Sequence, residues 1–182
     1  MEFVLILAAG AFYALAHVLN SWLFHWVEIS NHITWVYLPG FLRLLYVLVL
    51  GRLNGFIAIF LGGLMLANVN AESGMLMFAN NFCSSSAPVL ACVAFERWHG
   101  RMVSLSSLKD LLQFTVIYSV LNTVLHHLTW FILDASQWHE PLQLATMALG
   151  DFLGALIGVG LMKAAIDRFG LPRAKRKPPP QD

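Results

Sequence analysis

Arg43 and Asp151 are charged residues set deep inside long apolar runs, and they are the first candidates for chemistry in this sequence. Arg43 stands about nine residues from the basic end of its run, and Asp151 about ten from the start of its own. At 1.5 Å per helical residue, both fall roughly 14 Å from an interface, near the middle of a ~30 Å hydrocarbon core. A charge without a partner at that depth costs about 2.5–3.5 kcal/mol or more. Opposite charges at one depth therefore point to a pair. The pair either fixes two helices as a structural salt bridge or forms a binding or switching site.

Other polar residues fall at membrane depth beside them. The run Asn80-Asn81-Phe82-Cys83-Ser84-Ser85-Ser86-Ala87-Pro88 crowds amides and hydroxyls into the middle of an apolar segment. Pro88 removes a backbone donor, and every polar group in lipid needs a partner. This stretch is expected to face the bundle interior, either packed or as a broken helix lining a polar cavity. Asn68 and Asn122 are candidates for the same interior, and Asn80 or Asn81 for completing the hydrogen bonds of the charged pair. Gly150, Gly154 and Gly158 make a ridge of small residues beside Asp151, where another helix can approach closely, from this chain or from a second copy. Six of the seven histidines (His17, His25, His32, His126, His127 and His139) fall in one half of the expected membrane depth or in its loops. His17, His126 and His127 are the metal-ligand candidates among them, yet no HExxH, HxxxH or Cys-x-x-Cys spacing supports a metal or haem site. Interfacial or hydrogen-bonding histidines are the simpler reading. No cofactor is expected. No phosphate-binding glycine loop, nucleophile elbow or metalloprotease motif is present, so the chain is expected not to be an enzyme.

The elements that must position these residues follow from composition. Of 182 residues, 58% are hydrophobic and only 12% charged, where soluble domains carry about 25%. Lipid must be the main solvent. Apolar runs at residues 3–24, 33–50, 55–70, 74–95, 110–133 and 141–166 predict an all-α bundle of about six transmembrane helices, a polytopic membrane domain over residues 1–167. Residues 168–182 form a basic, proline-rich tail. Met1-Glu2 gives the first run no basic region, so it reads as a retained helix rather than a secretory signal. Cys83 and Cys92, nine residues apart, would lie roughly 13 Å apart on a regular helix and cannot bridge.

Charge sorting sets the orientation. With the tail inside, Arg52, Arg97, Arg101, Lys109, Arg168, Arg173, Lys175, Arg176 and Lys177 share the cytoplasmic side. The opposite loops hold Glu28, Glu72, Asp134 and Glu140 and no Lys or Arg. This works only with an even number of spans, which places both termini in the cytoplasm of a bacterial-type inner membrane. The basic tail is a topology anchor that meets anionic lipid, not a nucleic-acid ligand. Tryptophans 22, 26, 35, 130 and 138 fall near the outer interface and Trp98 near the inner one.

Four stretches resemble the membrane-associated sensor domain family of bacteria, the multi-helix type usually fused to diguanylate cyclases or histidine kinases. They are Trp35-Val36-Tyr37-Leu38-Pro39-Gly40-Phe41-Leu42-Arg43-Leu44-Leu45 leading to Leu50-Gly51-Arg52; Phe60-Leu61-Gly62-Gly63-Leu64-Met65-Leu66-Ala67-Asn68; residues 105–114 with Leu108-Lys109-Asp110; and Gly150-Asp151-Phe152-Leu153-Gly154. The resemblance covers roughly residues 33–166. Family members usually have about eight spans and continue into an output domain, whereas this chain has about six and a short tail. The resemblance therefore implies a stand-alone sensor-like module that signals through a membrane or cytoplasmic protein partner. The helix number and the glycines at 51, 55, 62 and 63 are also similar in architecture to the substrate-binding membrane components of energy-coupling-factor vitamin transporters. Three functions are carried forward: a non-enzymatic sensory or ligand-binding module relaying a signal, an accessory or assembly subunit of a larger membrane complex, and a small-molecule uptake component.

Overall fold

The computed structural model describes residues 2–30, 33–66, 74–133 and 141–169. Six α-helices account for most of them: α1 (Glu2–Phe24), α2 (Pro39–Val49), α3 (Arg52–Met65), α4 (Gly74–His99), α5 (Leu108–Leu133) and α6 (Pro141–Phe169). A turn of 3-10 helix (His25–Val27) and a small antiparallel hairpin of β1 (Glu28–Ser30) and β2 (Ile33–Thr34) follow α1. Helices α1, α4, α5 and α6 are each long and apolar enough to cross a membrane. With 11 and 14 residues, α2 and α3 are not, reaching only about 17 and 21 Å.

The distribution of side chains is inverted relative to a water-soluble protein. Phe12 and Trp22 of α1, Val120 and Leu128 of α5, and Leu153 and Ile157 of α6 lie exposed, while Asn20, Arg43, Ser85, Asn122 and Asp151 are buried. Such a surface is stable only against hydrocarbon, where the backbone bonds of long helices are satisfied internally and polar side chains retreat inward.

Helices α3, α4, α5, α6 and α2 close a ring, each against the next, and α1 lies outside it against α3. Two faces result. One carries the α2–α3 turn and the α4–α5 loop; the other carries the hairpin, the end of α5 and the start of α6. At the first, Gly51 adopts φ +86°, a left-handed conformation that costs glycine nothing and lets α3 double back on α2. At the same face Arg52 pairs with Glu96, and Asp110 accepts hydrogen bonds from Arg101, from the Ser104 backbone N–H and from the Ser107 hydroxyl. The Asp110 N–H returns a bond to Ser107 Oγ, so Ser107 caps the first turn of α5.

One expectation from the sequence needs correction, and one open alternative is resolved. The second apolar run is not a helix over 33–50. Residues 33–38 run non-helically into the bundle and α2 begins only at Pro39, whose missing N–H is no loss at a helix start. The freed donors find partners: Tyr37 N–H bonds the Gly150 carbonyl at 3.0 Å, and Leu38 N–H bonds Asn20 Oδ1 at 2.8 Å. At Pro88, where the segment was expected either to pack inward or to break around a polar cavity, it packs without a break. Helix α4 continues through it from Gly74 to His99, with Ser84, Ser85, Ala87 and Pro88 turned inward. Cys83 and Cys92 are both free and buried, as their spacing required.

The ridge of Gly150, Gly154 and Gly158 serves the non-helical segment. A Cβ at Gly150 or Gly154 would overlap the carbonyl oxygen of Thr34 or Tyr37, and one at Gly158 would overlap Phe41. The expected partner was a helix. At Gly150 and Gly154 it is an extended main chain of the same molecule, which comes closer than any helix with side chains could.

Candidate functional site

Where residues 33–38 give way to α2, the interior becomes polar. Arg43, on the second turn of α2, is 5% exposed and Asp151, midway along α6, is 2% exposed. Arg43 fans its donors over three phenols. Nε donates to Tyr13 Oη at 2.8 Å, Nη1 to Tyr118 Oη at 3.1 Å and Nη2 to Tyr37 Oη at 2.9 Å. The hydroxyls of Tyr13 and Tyr37 also meet, 3.3 Å apart. The guanidinium carbon stands 4.9 Å from the ring centre of Tyr37 and 5.7 Å from that of Tyr13, so their π faces add attraction for the buried cation.

Asp151 is satisfied from the other side. Tyr118 Oη donates to Oδ1 at 3.3 Å and Asn122 Nδ2 to Oδ2 at 2.7 Å. The first turn of α2 rests on it: a Cβ at Gly40 would stand 3.2 Å from Asp151 Oδ1. Arg43 and Asp151 share one cluster, as their depths implied, but not a direct ion pair. Tyr118 stands between them, accepting from the cation and donating to the anion. A phenol can do both, so neither charge is left bare in a low-dielectric interior.

The asparagines divide differently from the expectation. Asn122 joins the charged cluster. Asn80 does not; its Oδ1 accepts from Trp130 Nε1 at 2.8 Å and lies 3.3 Å from His126 Nδ1. Asn81 packs its amide on Gly63, where no side chain larger than hydrogen would fit, and its carbonyl accepts from Ser85 Oγ. Asn68 lies outside the described residues. His126 also meets Ser84 Oγ at 3.1 Å, His127 stacks edge-on against Trp130, and His17 lies edge-on to Tyr37. Among the described residues no group of three or more His, Cys, Asp or Glu is gathered as a metal site would require. His32 and His139 lie outside them.

Sequence reasoning missed the tyrosines. The chain has only four, and aromatic side chains with a polar tip are expected at membrane interfaces. Here Tyr13, Tyr37 and Tyr118 surround Arg43, and Tyr46 turns inward to donate to the Ala9 carbonyl. The available signal was periodic. On α5, Tyr118, Asn122 and His126 recur every four residues, with Ser119, Thr123 and His127 beside them. That stripe makes one face of a lipid-spanning helix polar along most of its length.

The arrangement has donors, acceptors and two opposite charges, all of them buried. It ties α1, the non-helical segment, α2, α5 and α6 to one another. No protein family, curated protein or solved structure matches this chain.

Proposed function

We propose that this chain is a non-enzymatic sensory or ligand-binding module of a bacterial inner membrane, in which the Arg43–Tyr118–Asp151 cluster is a switch whose state is relayed to a partner protein. In this reading the chain crosses the membrane six times with both termini in the cytoplasm. Residues 33–38 together with α2 form one crossing: six non-helical residues and three helical turns reach at most roughly 36 Å. The basic α4–α5 loop and tail then face the cytoplasm.

One observation carries the proposal. A single hydrogen-bonded cluster joins α1 through Tyr13, the non-helical segment through Tyr37, α2 through Arg43, α5 through Tyr118 and Asn122, and α6 through Asp151. Purely structural anchoring would not need a buried charge pair, which is seldom more stabilising than apolar packing of the same volume. Interrupted spans with charges at the break form the binding sites of many transporters and allow the two parts to move separately.

The test is Asp151→Asn, which keeps shape and removes charge. Hydrogen–deuterium exchange in residues 33–49 should quicken by at least tenfold while α3 and α4 stay protected, because the cluster ties that segment to α1, α5 and α6. Unchanged exchange in a folded variant would refute the switch. Copurification from native membranes separates the rival roles: an associated ATPase pair would favour uptake, and a stoichiometric large complex would favour an assembly subunit.

A further inference from the structure

The interior is not symmetric about Asp151. Toward the face that carries the α2–α3 turn it is mostly apolar, and the buried hydroxyls there, Thr115 and Ser119, are satisfied by carbonyls of their own helix. Leu44, Leu48, Phe114, Val159 and Met162 line one common crevice there. These residues begin one residue beyond Arg43 and end eleven beyond Asp151, so the apolar stretch extends roughly 16 Å along the helices at 1.5 Å per residue.

Toward the hairpin face the buried surface is polar. Asn122, Thr123, His126 and His127 of α5, Ser84 of α4 and Thr146 of α6 are all buried there. Three buried atoms in this half have no protein partner: Asn122 Oδ1, Thr123 Oγ1 and Gln143 Oε1. Gln143 sits eight residues, about 12 Å, from Asp151 toward that face. Asn122 is the residue whose other amide atom holds Asp151. A buried polar atom without a partner costs about 1–3 kcal/mol, and three on one side of the site mark where small polar molecules complete the bonding. Among the described residues, a small apolar cluster of Ile33, Leu76 and Trp130, with Met147 packed against it, lies at this end.

We propose that the charged cluster is reached by water and protons from the hairpin face only, along a hydrated route past Gln143, Thr123 and Asn122 to Asp151. This rests on the reading of the cluster as a switch and adds the kind of signal it takes: a water-borne proton arriving from one side. Asp151 is the group that would accept it. The charged and titratable groups facing Asp151 and its route are Arg43 from α2, Tyr37 from the non-helical segment, Tyr13 from α1, and Tyr118, His126 and His127 from α5. No side chain of α6 other than Asp151 among the described residues brings a charge to the cluster.

Thiol accessibility tests this. In a Cys83→Ala, Cys92→Ala background, Thr123→Cys and Thr115→Cys place a thiol in each half of α5, at buried sites that tolerate a side chain of that size. A small charged methanethiosulfonate should modify Thr123→Cys at least tenfold faster than Thr115→Cys, and adding Gln143→Leu should slow the reaction at Thr123→Cys. Equal rates, or reaction at Thr115→Cys alone, would overturn the route. Pulsed hydroxyl-radical labelling of the unmodified protein needs no variant to fold: His126, His127 and Trp130 should be oxidised and Phe114 spared. Oxidation of Phe114 to a similar extent would equally overturn it. Both measurements read access alone. A failed switch with a wet route would thus show normal thiol labelling and unchanged exchange at residues 33–49 in Asp151→Asn.

Discussion

Tyr118 donates its phenolic hydrogen to Asp151 Oδ1 at 3.3 Å and accepts one from Arg43 at 3.1 Å. The acidic and basic charges thereby share a phenol rather than touching. Tyr118→Phe removes this one oxygen and keeps the ring. Both charges then lose a buried partner, and hydrogen bonds to charged groups are worth about 1.5–3 kcal/mol each. The variant should unfold earlier in a denaturant titration in detergent by at least that amount. No shift would show that Tyr118 is incidental to the cluster.

Arg43→Leu or Asp151→Leu alone should lower folded yield sharply. Removing one member of a buried pair leaves the other uncompensated, at about 3–5 kcal/mol. The double variant should regain part of that loss, because two apolar side chains suit the interior. The measurement is monodisperse yield by size-exclusion chromatography. A double variant worse than either single change would mean that the two charges act independently.

The glycines of α6 should respond with opposite signs. At Gly154 an added methyl meets the Tyr37 carbonyl oxygen, and at Gly160 it meets nothing within 4 Å. Gly154→Ala should therefore destabilise by about 1–3 kcal/mol through overpacking. Gly160→Ala should stabilise by about 0.5–1 kcal/mol through lower backbone entropy in the unfolded chain. Thermal unfolding of the two variants side by side checks both. Equal effects would mean that residues 33–38 do not rest on α6.

Orientation is testable with the two native thiols left in place, since both are buried. His25 and Ser106 are exposed at opposite faces. His25→Cys should react with an impermeant maleimide on intact cells, and Ser106→Cys only after lysis. The reverse pattern would invert the orientation inferred from the Arg and Lys distribution.

The character of the molecule was written in its composition. A chain with 12% charged residues and six apolar runs must live in lipid as helices, because hydrocarbon offers no partner to an open backbone. Arg43 and Asp151 were also legible as a cluster. Helical rise converts residue number into depth, and the cost of a bare charge forces two of them together.

Tertiary structure decided the rest. Which apolar run would break could not be read from Pro88 or Pro39, because each proline removes one donor and only the surroundings determine the consequence. On α4, Pro88 sits inside a continuous helix. Before α2, Asn20 and the Gly150 carbonyl, 18 and more than 100 residues away, satisfy the donors that make an extended segment affordable. Tyr13, Tyr37 and Tyr118 each look like an interface residue by type and become a cage only when three separate elements meet around one guanidinium. The glycine ridge announced close approach but not the approaching partner. Depth and polarity are properties of a residue and its neighbours along the chain. Hydrogen-bond partnership belongs to groups brought together from distant elements, and only the folded arrangement fixes it.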